Sequence, residues 1–159
     1  MAIMTSREGL SFQSKITSDC AALNSMIIAV LDAVPAIHAM RDPTRGGVAA
    51  TLNELAVSSA VGIEINELSI PVKPDVRGAC ELLGIDPLNV ANEGKLIAIC
   101  ASADAPKLLA AMRAHPLGQD AALIGEVSLD AHHFVQLSTA FGGRRIVDWL
   151  ASDQLPRIC

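Results

Sequence analysis

Asp42-Pro43-Thr44-Arg45-Gly46-Gly47 stands between a short apolar stretch, Ile37 to Met40, and a segment in which Val48, Leu52 and Leu55 recur at helical spacing. Strand, glycine-bearing turn, then helix is the order this spacing predicts, with Asn53 and Glu54 pointing away from the apolar face. Strand and helix signals alternate on both sides. Upstream, Asp19 is placed to cap a helix running to about Val34. Downstream, Val61, Ile63 and Ile65 alternate with Gly62 and Glu64, the period of a half-buried strand. Pro74 suits the first turn of a helix that lines up Val76, Cys80 and Leu83 before Gly84 stops it.

Asp86-Pro87-Leu88-Asn89 reads as a turn, and Asn92-Glu93-Gly94 as a second polar break. Leu96 to Cys100 is apolar throughout, which predicts a strand in the middle of a sheet. Residues 104–115 form an amphipathic helix with Leu108, Leu109 and Met112 inward. Stretches at about 122–128 and 132–138, separated by three residues, predict an antiparallel hairpin. The sum is an α+β fold of the α/β sandwich kind, a mixed β-sheet packed with helices. Residues 151–159 lack periodicity and contain Pro156, so a flexible C-terminal tail is expected.

The chain has 159 residues, with 12 Lys+Arg against 17 Asp+Glu, a net charge of −5. Hydrophobic residues make up 51% and charged residues 18%, which excludes disorder for most of the chain. Acidic balance with 3% aromatics argues against nucleic-acid binding. The longest apolar stretch, Ala21 to Val34, is interrupted by Asn24, Ser25 and Asp32, too short and polar to span a bilayer. A soluble, cytoplasmic protein is expected. Cysteines 20, 80, 100 and 159 form no C-x-x-C pair, so zinc and disulfide scaffolds are not expected. The first three lie in apolar segments and read as small core residues.

Three places can carry chemistry. In the 42–47 turn, two glycines allow close backbone approach, and amides at a helix start favour an anion. Thr44 can cap the helix or touch a phosphate, Asp42 could hold a metal ion, and Arg45 could pair with a phosphate. No Walker lysine follows. A capped helix after a tight turn explains the same residues. Glu93, beside the most apolar strand, can serve as a general base or be a solvated turn residue. Cys159 places a thiol on the chain terminus, accessible to other proteins or simply accidental. His38 reads as a partly buried strand residue, His115 as a helix end. His132 and His133 are adjacent and cannot share a metal in a strand. Arg144 and Arg145 read as a solvated turn. No metal-ligand set is assigned.

Together these stretches resemble the C-terminal domain of the HypE family of [NiFe] hydrogenase maturation proteins, in the AIR synthase-related superfamily. The matching residues are Asp-Pro-Thr-Arg-Gly-Gly at 42–47, Pro-Val-Lys-Pro at 71–74, Cys-Glu-Leu-Leu-Gly at 80–84 and Ala-Asn-Glu-Gly-Lys at 91–95. His-Pro-Leu-Gly at 115–118, Ala-Ala-Leu-Ile-Gly-Glu-Val at 121–127 and Pro-Arg-Ile-Cys at 156–159 extend the likeness over nearly the whole chain. Asp-x-Thr-x-Gly-Gly is shared across the superfamily, whereas the terminal Pro-Arg-Ile-Cys is specific to HypE.

The resemblance implies an ATP-dependent carbamoyl dehydratase. HypF would load a carbamoyl group onto Cys159, ATP would activate its oxygen, and Glu93 would act as the catalytic carboxylate. The resulting thiocyanate would donate cyanide to iron on a HypC–HypD complex. Nucleotide contacts are expected from Asp42, Thr44, Arg45, Gly46, Gly47 and Asn92, with ATP and Mg2+ held mostly by an N-terminal domain that also forms a homodimer. Residues 1–18 would be the remnant of that domain or its linker, 19–150 the AIR synthase-related C-terminal domain, and 151–159 the tail. The chain then looks like a C-terminal fragment, inactive alone. A non-enzymatic assembly domain presenting a reactive tail, or another ATP-dependent AIR synthase-like enzyme, are the alternatives.

Overall fold

Helix α1 (Asn24–Ala33) opens the described part of the chain, residues 16–149 of a computed structural model. Strand β1 (Ala39–Arg41), helix α2 (Gly47–Ser59), strand β2 (Gly62–Asn66) and helix α3 (Pro74–Leu83) follow. Then come β3 (Ile97–Ile99), helix α4 (Ala105–Ala114), β4 (Gly125–Ser128), β5 (Val135–Ser138) and β6 (Arg144–Ile146). The α+β class expected from the pattern is the one observed. The tail and the 1–15 stretch lie outside the described residues.

Two sheets form. Strands β4, β2, β5 and β6 make a four-stranded mixed sheet in that order, with β2 and β5 parallel and the other pairs antiparallel. Strands β1 and β3 make a separate antiparallel ribbon, Met40 opposite Ala98. One core lies between α2 and the larger sheet, where Leu52 and Ala56 meet Ile63, Ile65, Val135 and Leu137. Burying each Leu, Ile or Val side chain of this set contributes roughly 1.5–3 kcal/mol. A second core joins α1 to α4 through Met26, Val30, Val34 and Leu108.

Strand β3 is not in the middle of a sheet as its composition suggested. It is apolar because it runs between the two cores: Ile97 packs on the first, while Leu96, Ala98 and Cys100 pack on the second. Nor do β4 and β5 form a hairpin. Strand β2 lies between them, and the connecting loop crosses its start, where Gly62 leaves room for Asp130. The Asp130 carboxylate accepts the amides of His132 and Phe134, both at 3.1 Å, which shapes that crossing. The observed hairpin is β5–β6, and Arg144 and Arg145 belong to its edge strand rather than to a solvated turn. They pair with Glu64 and Asp86.

Smaller expectations change too. Helix α1 has no side-chain cap, so Asp19 is not its N-cap. Ala111 rather than Leu109 joins Leu108 and Met112 in the second core. Cys20 is exposed, while Cys80 is buried and Cys100 half-buried, and burial pushes the latter two thiols up. His38 is exposed. His115 accepts the Leu117 amide through Nδ1 and meets the Ser25 hydroxyl through Nε2 at 3.0 Å, tying α4 to α1. Asn53, expected to face outward, is buried. Its side-chain amide donates to the carbonyls of Ala49 and Val147, each at 2.9 Å. An amide can sit in a core when both its hydrogens are taken.

Candidate functional site

The 42–47 turn is wedged into the fold at Pro43, which is fully buried. Gly46, at φ +71°, flanks the start of helix α2 at Gly47, itself at φ +64°, and the helix carries no side-chain cap. Thr44 therefore does not cap it, though its carbonyl accepts the Gly47 amide at 3.2 Å. The Gly46 carbonyl takes the Ala50 amide. Among the described residues no acceptor takes the amides of Val48 and Ala49, so the helix start keeps free donors and the positive end of its dipole.

Gly47 is needed for a second reason. A side chain there would run into the backbone of the 3-10 turn Pro87–Asn89, coming within 2.6 Å of the Val90 carbonyl. That turn is held by Asp86, whose Oδ1 accepts the Leu88 amide at 2.9 Å. The stretch from 86 to 95 thus packs directly on the helix start. Its next residues close the arrangement: the Asn92 amide donates to the Pro43 carbonyl at 3.0 Å, and the Asn92 side chain donates to the Val90 carbonyl at 2.7 Å.

Two motifs about fifty residues apart in the chain are therefore neighbours. Asp42 and Arg45 are exposed, and Thr44 half-buried, with no ion pair to Asp42 or Arg45 among the described residues. A free guanidinium, a hydroxyl and uncapped helix amides are groups that accept a phosphate. A free carboxylate beside them can help hold a divalent cation, which commonly takes only one or two protein carboxylates when phosphates supply the rest. No cluster of three His, Cys, Asp or Glu suited to a metal occurs among the described residues.

Glu93 is exposed, and its carboxylate has no partner among the described residues. The apolar strand beside it does not bury it. Its backbone is restrained, however: Asp19 Oδ2 accepts the Glu93 amide at 3.3 Å and the Lys95 ammonium at 3.2 Å. Neither Asp19 nor Lys95 was assigned to the site from the sequence. Asp19 resembles a helix cap by position, and nothing local connects it to residues more than seventy positions away. Cys159 lies outside the described residues.

The family described as AIR synthase related protein, C-terminal domain, matches residues 1–138. The carbamoyl dehydratase HypE of Cupriavidus necator is 59% identical over the full chain, which spans 45% of that relative. A crystal structure of the hydrogenase maturation protein HypE in complex with ATP superposes with a TM-score of 0.92 at 43% identity, over 99% of this chain and 48% of that one. A chain in a crystal structure of a HypE–HypF complex superposes with a TM-score of 0.88 at 44% identity, over 93% of this chain and 48% of that one. The chain spans about half the length of the curated relatives it matches.

Proposed function

The chain belongs to the AIR synthase-related family, whose C-terminal domain it carries, and from that membership we propose that it forms the C-terminal half of an ATP-dependent carbamoyl dehydratase of [NiFe] hydrogenase maturation. The observation that carries the reading is the Asn92–Pro43 hydrogen bond, because it brings the turn bearing Glu93 against an uncapped helix start suited to phosphate.

In this reading Arg45, Thr44 and the α2 amides receive phosphate oxygens of ATP, and Asp42 contributes to Mg2+. Gly46 and Gly47 let the backbone turn there, and Asn92 holds the approach. Most nucleotide contacts would come from an N-terminal half, which would also make the homodimer. Cys159 carries the carbamoyl group as a thioester, delivered by HypF. The carbamoyl oxygen bonds to the γ-phosphorus as ADP leaves, and one nitrogen proton is lost. Glu93 takes the second nitrogen proton as the C–O bond breaks, phosphate departs, and the C≡N bond of a thiocyanate forms. The S–C bond of the thiocyanate then breaks as a two-electron reductant on the acceptor side, HypC–HypD, supplies its electrons, so that cyanide passes to iron there and Cys159 returns to its thiolate. Positioned proton removal of this kind is worth about two to four decades in rate. The work would take place in the cytoplasm. Among the described residues no helix is long and apolar enough to cross a membrane.

Intact-mass analysis tests the assignment on the domain joined to an N-terminal half of the kind its relatives carry. With HypF, carbamoyl phosphate and ATP, mass should first rise by a carbamoyl group on Cys159 and then fall by one water. Cys159→Ala should show neither change. A Cys159→Ala enzyme that still delivered cyanide would refute the reading.

A further inference from the structure

The turn from Asn92 to Lys95 is gripped from two sides. On one flank, Pro43 takes the Asn92 amide. On the other stands the segment just before α1. Asp19 accepts both the Glu93 amide and the Lys95 ammonium on one carboxylate oxygen. The backbone at Asp19 and Ala21 also lies so close to Gly94 that an added Cβ would come within 2.8 Å of the Ala21 nitrogen. Between these anchors the Glu93 carboxylate is left exposed, with no partner among the described residues.

A surface ion pair would not by itself fix such a turn. Asp19 and Lys95 side chains are 34% and 49% exposed, and pairs of that kind contribute little. The amide contact differs, because it restrains the peptide unit of Glu93 itself. A charged acceptor makes such a bond stronger than a neutral one. The close approach at Gly94 is independent of either polar contact and points to the same segment.

We propose that Asp19 is a positioning residue for Glu93, holding the Glu93 amide so that the carboxylate stays aimed from a fixed turn. The proposal rests on the reading of Glu93 as the proton acceptor. Asp19 touches no reacting atom in this account. It acts through the backbone of the 92–95 turn.

The test uses the domain joined to its N-terminal half, with Asp19→Ala, Asp19→Asn, Lys95→Met and Glu93→Gln compared. Two quantities are read: hydrogen exchange at the Glu93 amide, and the single-turnover rate of water loss from the carbamoylated protein at varied ATP. Asp19→Ala should raise Glu93 exchange and lower the rate, each by about tenfold, while half-saturation for ATP stays within about twofold. Asp19→Asn keeps an oxygen acceptor and should recover most of both losses. Lys95→Met should leave both near the unsubstituted values. Unchanged Glu93 exchange in Asp19→Ala overturns the proposal, as does raised exchange with an unchanged rate. A rate in Asp19→Asn as low as in Asp19→Ala overturns the role of the amide contact. These results with a slow Glu93→Gln enzyme refute only the positioning role. A Glu93→Gln enzyme of normal rate instead refutes the proton-acceptor reading, and the positioning proposal falls with it.

Discussion

The Asn92 amide donates to the carbonyl of the buried Pro43 at 3.0 Å, across almost fifty residues of chain. This bond ties the turn that carries Glu93 to the loop that starts α2. Neither segment belongs to the four-stranded sheet. Both are placed by the same shelf, the 3-10 turn Pro87–Asn89 packed against Gly47.

Gly47 should accept no side chain. Gly47→Ala would strain a φ of +64° and press a methyl group on the carbonyls of Leu88 and Val90. The two effects together should cost about 3 kcal/mol in urea unfolding. Gly78→Ala in α3 is the control, since a methyl group there meets nothing within 4 Å. It should stabilise by about 0.5–1 kcal/mol.

Asn53 joins α2 to the end of the sheet through the Val147 carbonyl. Asn53→Ala leaves that buried acceptor without its donor and opens a small void. Urea unfolding should show a loss of about 2 kcal/mol. Asn53→Asp should be worse at neutral pH, because a buried carboxylate would face two carbonyl oxygens.

For Glu93, substitution by Gln keeps size and removes the proton acceptor. In the joined enzyme, mass spectrometry should show carbamoylated protein accumulating in the presence of ATP. Water loss should slow by about two to four decades while carbamoyl loading continues. Loss of water at the normal rate would make Glu93 an ordinary turn residue.

The Asp130 carboxyl is held below the usual carboxylate value, first by the His132 amide and then by the Phe134 amide. Folding therefore favours its ionised form. That contribution is fully present above the ordinary Asp value of about 4 and is lost as pH falls through the lowered value. Calorimetry should find Asp130→Asn less stable than the unsubstituted chain at neutral pH, with the gap closing in acid. A gap that widens in acid would contradict the sign.

Much of the architecture was legible from residue order. The period-two pattern at Ile63 and Ile65 and the Pro74–Gly84 bounds of α3 reflect local constraints, namely which face is apolar and which backbone angles a residue permits. The 42–47 motif and its strand-to-helix setting were legible for the same reason, since glycine at positive φ leaves a mark in composition.

Partners were not legible. The close spacing of β4 and β5 suggested a hairpin, yet β2 enters between them, with Ile63 opposite Val127 on one side and Val135 on the other, and Ile63 and Ile65 share one core with Val135 and Leu137. The apolar run at 96–100 looked like a central strand, but its two faces serve two different cores. Asp19 looked like a helix cap, and only the folded chain brings it to Glu93 and Lys95. Local chemistry is written in neighbouring residues. Which distant segment satisfies a given amide or covers a given face depends on the packing of the whole, where many short-range patterns compete for the same buried surface.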